Sequence, residues 1–338
     1  MPDDASQFLL PFLEARREGL YARAFDAFLD PIVPVPRAIL SHAHADHAVD
    51  GHALLWATPS TVALYRRRHP DWNGAAVELA YGEPWERDGA RLRLVSAGHV
   101  LGSAQVRFET DRDSLLYTGD FKLRPARTVP PVESPPSAAL VLETTFGLPV
   151  FRFPPREELE RRIVAVCREA IAEGETPVLL AYALGKAQET AAILTEAGIP
   201  TVLHGAAWKL LPEYAAAGTA LPLSRAYETG PPQAGEALIT PPSTSRTPMV
   251  RAIRRRRVVY LSGWAIRDAS RSELDADVLI PMSDHADFED LRRHVRQVGA
   301  DRVVTFHGFA RDFARLLPGD GVAAAPLLER EERPPEDP

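Results

Sequence analysis

The chain has 338 residues, 45% hydrophobic and 25% charged, with a formal net charge of −7. At roughly 100–200 residues per domain this predicts two domains with ample apolar material for a core, which excludes a fibrous or wholly disordered chain. The acidic balance excludes a uniformly basic protein that coats nucleic acid, but says nothing against local basic grooves.

The N-terminal MPDDASQFLLPFLEARREG carries acid where a secretory signal carries base, and its apolar run is short. No stretch of about 18 apolar residues marks a membrane span, so a cytoplasmic location is expected. Residues 6–29 alternate apolar and charged side chains at near-helical spacing and predict a helical lead-in. Pro31, Pro34 and Pro36 then interrupt regular structure before a short strand at 38–40, which runs directly into SHAHADH. A strand at 91–95 leads into SAGHVLGSA, and a hairpin over 105–108 and 115–118 ends in Gly119-Asp120. Another strand at 139–142 is followed at once by Glu143-Thr144-Thr145-Phe146-Gly147.

From Pro154 the rhythm changes. An amphipathic helix over 156–173, a strand at 178–182, a helix at 186–197 and a strand at 201–204 form a βαβ-like alternation. Residues 219–248, rich in Pro, Gly, Ser and Thr, read as loop. Strands at 258–262 and 278–280 precede Ser283-Asp284-His285, and a helix at 288–298 and a strand at 302–306 deliver His307-Gly308. The charged, proline-bearing tail from Glu329 predicts fraying. The single Cys167 excludes an internal disulfide and a metal site built on thiolates.

The strongest chemical signal is His42-Ala43-His44-Ala45-Asp46-His47, three imidazoles and a carboxylate on one turn. Imidazole nitrogen and carboxylate oxygen suit zinc, and also manganese or iron. Further ligand types follow at later strand ends: His99, Asp120, His285 and His307. Six of the ten histidines lie in the four of these motifs that contain histidine; His52, His69, His204 and His294 lack that setting and read as surface or capping residues.

HxHxDH followed by a later His, a later Asp and a terminal His resembles the metallo-β-lactamase superfamily. Glu143 in ETTFG, His285 in SDHAD and His307 in FHG resemble the added motifs of its β-CASP nuclease branch, and ALGKAQE at 183–189 is similar to a segment of that branch's RNA-cleaving members. The TFGLP and SDHADF segments most resemble the bacterial DNA ligase-associated exonucleases. The resemblance implies an α/β fold: a four-layer αβ/βα sandwich from residues 1–149 and 280–326, with an inserted α/β β-CASP domain at 150–279 and a disordered tail at 327–338. It also implies two divalent metal ions, zinc first and manganese second. His42, His44 and His99 would hold one, Asp46, His47 and His307 the other, and Asp120 would bridge them, with a shared hydroxide as nucleophile.

The resemblance further implies that Asp30 orients a ligand histidine, although Pro31 replaces the usual following glycine; a turn-capping aspartate is the other reading. Glu143 would hold His285 as the acid that protonates the leaving oxygen, with Asp46 and Asp120 completing the catalytic set. Lys186, at a helix start, and Ser243-Thr244-Ser245 are candidate phosphate contacts, or simply a first-turn lysine and a capping turn. Arg251 and Arg254–Arg257 form the densest basic run, either phosphate-binding or a solvated turn. Tyr182, Trp208 and Trp264 are base-stacking candidates that read equally as core. The expected activity is DNA exonuclease action in repair, with DNA preferred over RNA and a ligase or helicase as associated partner. RNA processing is the alternative, kept open by His307, and a small-molecule thioester or lactam hydrolase ranks below both.

Overall fold

The computed structural model describes residues 5–9 and 11–327. The tail from Glu329 lies outside the described residues. Contacts divide the chain into two units. Of the described residues, one comprises those up to Pro125, Val129–Phe151 and those from His285 to Leu327; the other comprises Ala126–Thr128 and Arg152–Asp284.

In the first unit, the strands Leu13–Arg16, Gly19–Ala22, Ala27–Leu29, Arg37–Ile39, Leu54–Ala57 and Ala75–Glu78 lie side by side in one sheet. A second sheet has the order Ala323–Pro326, Arg302–Phe306, Ala139–Glu143, Ser114–Tyr117, Ala104–Glu109, Ala90–Ser96, Pro84–Arg87. The facing sides of the two sheets share one core, in which Leu20, Leu29 and Ile39 pack with Leu94, Val106 and Phe306. The outer side of the first sheet is closed by the helix Pro59–Arg68 through Val62 and Tyr65. That of the second is closed by the helices Phe288–Val298 and Ala310–Leu316 through Leu291, Val295 and Phe313. Each sheet therefore buries both faces, and the layer order is helix, sheet, sheet, helix.

The predicted helical lead-in at 6–29 is corrected by the structure. Only Ala5–Leu9 is helical. Pro11, with no N–H to give, stops it, and the chain then forms three strands. Gly19 takes φ +137° and Asp26 φ +51° at the turns between them, and Leu20, Ala22, Ala27 and Leu29 are buried at strand rather than helix period. The apparent helical spacing arose from reading across two turns.

The second unit holds a fully parallel sheet in the order Ser224–Ala226, Thr201–Leu203, Ala237–Thr240, Thr176–Leu180, Arg256–Leu261, Val278–Ile280. The loop expected over 219–248 thus contains a central strand, Ala237–Thr240, with every residue buried. Four residues among prolines and glycines carry too little periodicity to be seen in sequence. Helices Arg156–Ala172 and Lys186–Glu196 cover one face. Glu189, 2% exposed, accepts from the amides of Arg127 and Thr128 at 3.0 and 3.2 Å and from the Thr128 hydroxyl at 2.9 Å, and also pairs with Arg156. That carboxylate fastens the three-residue segment Ala126–Thr128 to this unit. No described helix is long and apolar enough to cross a membrane.

His294, on the inner face of Phe288–Val298, is fully buried against the ring of Phe121, 4.4 Å away. Gln105 spends its amide on the carbonyls of Ser96 and Glu133, so its Oε1 accepts from His294 Nε2 at 3.1 Å, and Nδ1 lies 3.1 Å from the Ser134 hydroxyl, which also faces Gln297 Oε1 at 3.3 Å. The imidazole is satisfied as the neutral form, and burial pushes its pKa down to about 3. Its unfolded pKa is near 6.5, so its contribution is complete above about pH 6.5 and falls by roughly 1.4 kcal/mol per pH unit as acid is added. Urea denaturation at pH 7 and pH 5 is expected to show the native chain losing about 2 kcal/mol more than His294→Gln over that interval.

Candidate metal centre

The chemistry-bearing side chains of the first unit project from the carboxyl ends of its strands. Asp30 follows Ala27–Leu29, the SHAHADH turn follows Arg37–Ile39, His99 follows Ala90–Ser96, and Asp120 follows Ser114–Tyr117. Glu143 ends its own strand, and His307 follows Arg302–Phe306. Two glycines allow these ends to converge. At Gly119, φ +50°, a Cβ would lie 2.6 Å from Cβ of Ser41; at Gly308, φ +55°, it would lie 2.5 Å from Cα of Thr145. A side chain at either position would push two strand ends apart.

Hydrogen bonds set the tautomers. Ser41 Oγ gives its proton to Asp30 Oδ2 at 2.5 Å, so it accepts from His42 Nδ1 at 2.9 Å. His47 Nδ1 likewise donates to Asp30 Oδ2 at 2.9 Å. Both rings therefore turn Nε2 inward, 3.5 Å from Oδ2 and Oδ1 of Asp120 respectively. Asp30 also accepts from the Ser41 amide at 2.7 Å and the Tyr117 hydroxyl at 2.9 Å. Its φ of +38° is a conformation that aspartate tolerates better than most residues.

His44 Nδ1 lies 3.1 Å from both His42 Nε2 and His99 Nε2. Ligand nitrogens at zinc–nitrogen distances of about 2.0–2.1 Å stand about 3.3 Å apart in a tetrahedron, so these three imidazoles have the spacing of one metal's donors. Asp120 Oδ2 completes the group, 3.5 Å from His42 and 3.6 Å from His99. A second group, His47, Asp120 and His307, has its donor atoms within 4.8 Å of one another. Oδ1 of Asp120, on this side, is buried without a hydrogen-bond partner, a costly state for a carboxylate oxygen unless a cation faces it. The donor set fits two divalent cations sharing Asp120. Asp46 stands apart: its side chain is 70% exposed, with Oδ2 3.8 Å from His47 Nε2.

Burial and the surrounding imidazoles hold the pKa of His42 well below its ordinary value, keeping its lone pair available. Burial also pushes His47 down, but Asp120, Asp46 and Asp30 outweigh it and raise the ring well above the ordinary value. Uptake of a cation there replaces a proton with a metal.

Beside Asp120, the fully buried Glu143 lies 3.1 Å from His285 Nδ1. Its other oxygen accepts from the Thr145 amide at 2.9 Å. Burial pushes Glu143 up, yet the imidazole and the Thr145 amide bring it below the usual carboxylate range. His285 is a quarter exposed, and its ring lies 4.8 Å from that of His99.

In the second unit, Lys186 is buried rather than an exposed first-turn lysine: Nζ lies 3.7 Å from Asp284 Oδ2 and 4.6 Å above the Tyr182 ring. Thr244 bonds to Thr240 and to the Pro241 carbonyl, both at 2.7 Å; Ser245 is buried and Ser243 exposed. Arg255 and Arg257 bind Glu173 at 2.7 and 2.5 Å, and Arg256 binds the Ile253 carbonyl, so most of the basic run is engaged with its own surface. Trp208 and Trp264 are partly buried against the two cores of that unit, and Tyr182 is partly buried beneath the Lys186 ammonium. Of the remaining histidines, His52 accepts from the Val35 amide, His69 faces the Ala48 carbonyl and His204 caps a short helix.

Sequence reasoning passed over Ser41, Tyr117 and Arg68. Ser41 was legible as the first letter of SHAHADH. Tyr117, whose hydroxyl reaches Asp30, and Arg68, which donates to the Ala43 carbonyl inside the His-rich turn, come from remote strands and helices and left no local signal.

Asp30→Asn removes the acceptor of His47 Nδ1–H and is expected to weaken metal retention about 10–100-fold at the His47 side. Metal analysis after dialysis against a graded chelator checks this, with the His42–His44–His99 group, tied to Asp30 only through Ser41, expected to lose its ion at a higher chelator concentration than the His47 side.

Comparisons with known proteins agree with this geometry. Residues 16–165 match the family model described as the metallo-beta-lactamase superfamily. A probable DNA ligase of Opitutus terrae is 37% identical over 308 residues, 90% of this chain and 30% of that protein. An RNase J-like protein of Methanocaldococcus jannaschii is 28% identical over 182 residues, 47% of this chain and 43% of its own. A transcription termination factor FttA of Thermococcus kodakarensis is 31% identical over 216 residues, 51% and 33% of the two chains. The chain thus spans less than half the length of each of these relatives. The crystal structure of a protein of unknown function from Enterococcus faecalis V583 superposes with a TM-score of 0.60 at 15% identity, covering 87% of this chain and 79% of that one. Histidine-rich turn, layer order and family match lead to one conclusion: the chain carries a metallo-β-lactamase superfamily domain.

Proposed function

We propose that this protein is a metal-dependent phosphodiester hydrolase of the β-CASP nuclease type that shortens DNA from an end during repair in the cytoplasm. The observation that carries this reading is the shared Asp120 between two donor groups, with the Glu143–His285 pair directly beside it. Two divalent ions, zinc by the donor set and manganese as second choice, would polarise a phosphoryl group and acidify water. The chain's own residues then do the rest. Asp120 holds both donor groups in register. Glu143, kept ionised, favours the protonated form of His285, which gives its proton to the departing 3′ or 5′ oxygen of the sugar. His47 and His307 with Asp120 form the second donor group, which the exposed Asp46 would join from beside His47, and Asp30 orients His47. Lys186, held by Asp284, and the turn at Ser243, Thr244 and Ser245 are the proposed phosphate contacts of the second unit.

DNA is favoured because the relative matching 90% of this chain is a probable DNA ligase, which also supports a ligase or helicase as partner. The RNase J-like relative and the histidine at position 307 favour RNA as the second substrate. A small thioester or lactam needs neither the Glu143–His285 pair nor a second unit of this size.

End-labelled DNA and RNA of matching sequence, offered with zinc or manganese, test the reading. A ladder of shortening DNA products, weak on RNA and absent with Asp120→Ala, is expected. His285→Ala is expected to keep its metal and lose about 10²–10⁴-fold in rate. Preferential RNA cutting would move the protein to RNA processing, and metal-replete enzyme inert on several end structures of both polymers would sink the nuclease reading.

A further inference from the structure

The loop that carries Asp120 continues through Phe121, Lys122 and Leu123 to Arg124, and it is tied to the segment that carries His285. The Ala286 amide donates to the Phe121 carbonyl at 2.8 Å. Arg124 Nη2 donates to Asp287 Oδ2 at 2.5 Å and its Nε to Asp290 Oδ2 at 3.2 Å. Asp287 is the N-cap of the helix Phe288–Val298, its Oδ1 accepting from the Asp290 amide at 2.9 Å. Both carboxylate side chains are only 4% exposed. Burial and the neighbouring Asp287 push Asp290 up, with Arg124 opposing them. The one other cation on Asp290 among the described ion pairs is the largely exposed Arg293, 3.3 Å from Oδ1. Without Arg124, two buried carboxylates would face each other at the start of a helix whose first turn begins three residues after His285.

We propose that Arg124 is a positioning residue: by bracing Asp287 and Asp290 it fixes the helix start and holds His285 in register with Glu143 and with the Asp120 loop. A planar guanidinium suits this task because Nε and Nη2 address two carboxylates at once, which a point charge does not. Asp287 and Asp290, the carboxylates that Arg124 braces, lie on the segment and helix that follow His285, so the proposed effect is on the geometry of the acid. The inference on rate rests on the hydrolase reading; the inference on geometry does not.

Two variants, Arg124→Gln and Arg124→Lys, test it in the full chain. Native-state hydrogen exchange at the Ala286 and Asp290 amides is expected to accelerate about tenfold or more in Arg124→Gln. Metal content is expected to match the native protein, kcat on end-labelled DNA to fall about 10–100-fold, and KM to stay put. Arg124→Lys is expected to recover part of both effects, and it replaces the glutamine variant if that one does not fold. Unchanged exchange at Ala286 overturns the proposal, as does a rate loss that tracks loss of metal or appears wholly in KM. Accelerated exchange in a protein whose native form cuts neither DNA nor RNA would leave the positioning role standing and refute the nuclease reading.

Discussion

A buried carboxylate with an oxygen that no hydrogen bond satisfies is the constraint on which the first unit is organised. Asp120 has Oδ2 turned to His42 and His99 and Oδ1 turned to His47. The serine and aspartate behind those rings accept hydrogen bonds from Nδ1–H of His42 and His47, so Nε2 of each ring is what faces Asp120. Carboxylate oxygens and imidazole nitrogens gathered in a low-dielectric pocket have positive charge of small radius as their natural complement, a proton at His47 or a metal ion. The rest of the local structure serves to keep that cluster from relaxing. Ser41, Asp30 and Tyr117 form a hydrogen-bonded brace behind it, and glycines at 119 and 308 let the strand ends crowd together.

The layered architecture explains why the cluster forms at strand ends. A sheet sandwiched between another sheet and helices has no free face on which to place ionisable groups. The turns where strands stop are free of that covering. Residues from widely separated parts of the sequence, from Asp30 to His307, meet because their strands finish at one rim of the unit. The Glu143–His285 pair uses the same economy: a strand's last residue meets the residue just ahead of a helix.

Much of the metal centre was legible in sequence because metal chemistry needs particular side chains at particular spacings. HAHADH, His99 and Asp120 each announced themselves after a short apolar run. Strand and helix boundaries from residue 156 to 203 were likewise readable from period and length. What the sequence hid has physical causes. The first three strands were masked by charged residues on their outer faces, which imitate helical spacing across turns. The strand Ala237–Thr240 is too short to show a period, and its burial depends on neighbours far along the chain. Lys186 looked like an exposed basic residue because its partner, Asp284, lies nearly a hundred positions away. The arginine run at 254–257 looked like a binding stripe, yet its charges are largely answered by Glu173, Glu175 and nearby carbonyls.

The carboxylate of Glu189 bears on how this protein can be divided. It belongs to the long insert, but its amide and hydroxyl donors, Arg127 and Thr128, come from a segment 24 or more positions ahead of Arg152. A gene fragment cut at the obvious sequence boundary would therefore carry a glutamate 2% exposed to solvent with two of its neighbours left behind on the other piece. The same holds in reverse for any chimera that grafts a foreign insert between Phe151 and His285: the orphaned Arg127 and Thr128 would have nothing to dock on. The modular unit, in the sense relevant to recombination and protein engineering, is the insert together with three residues that no linear boundary would assign to it.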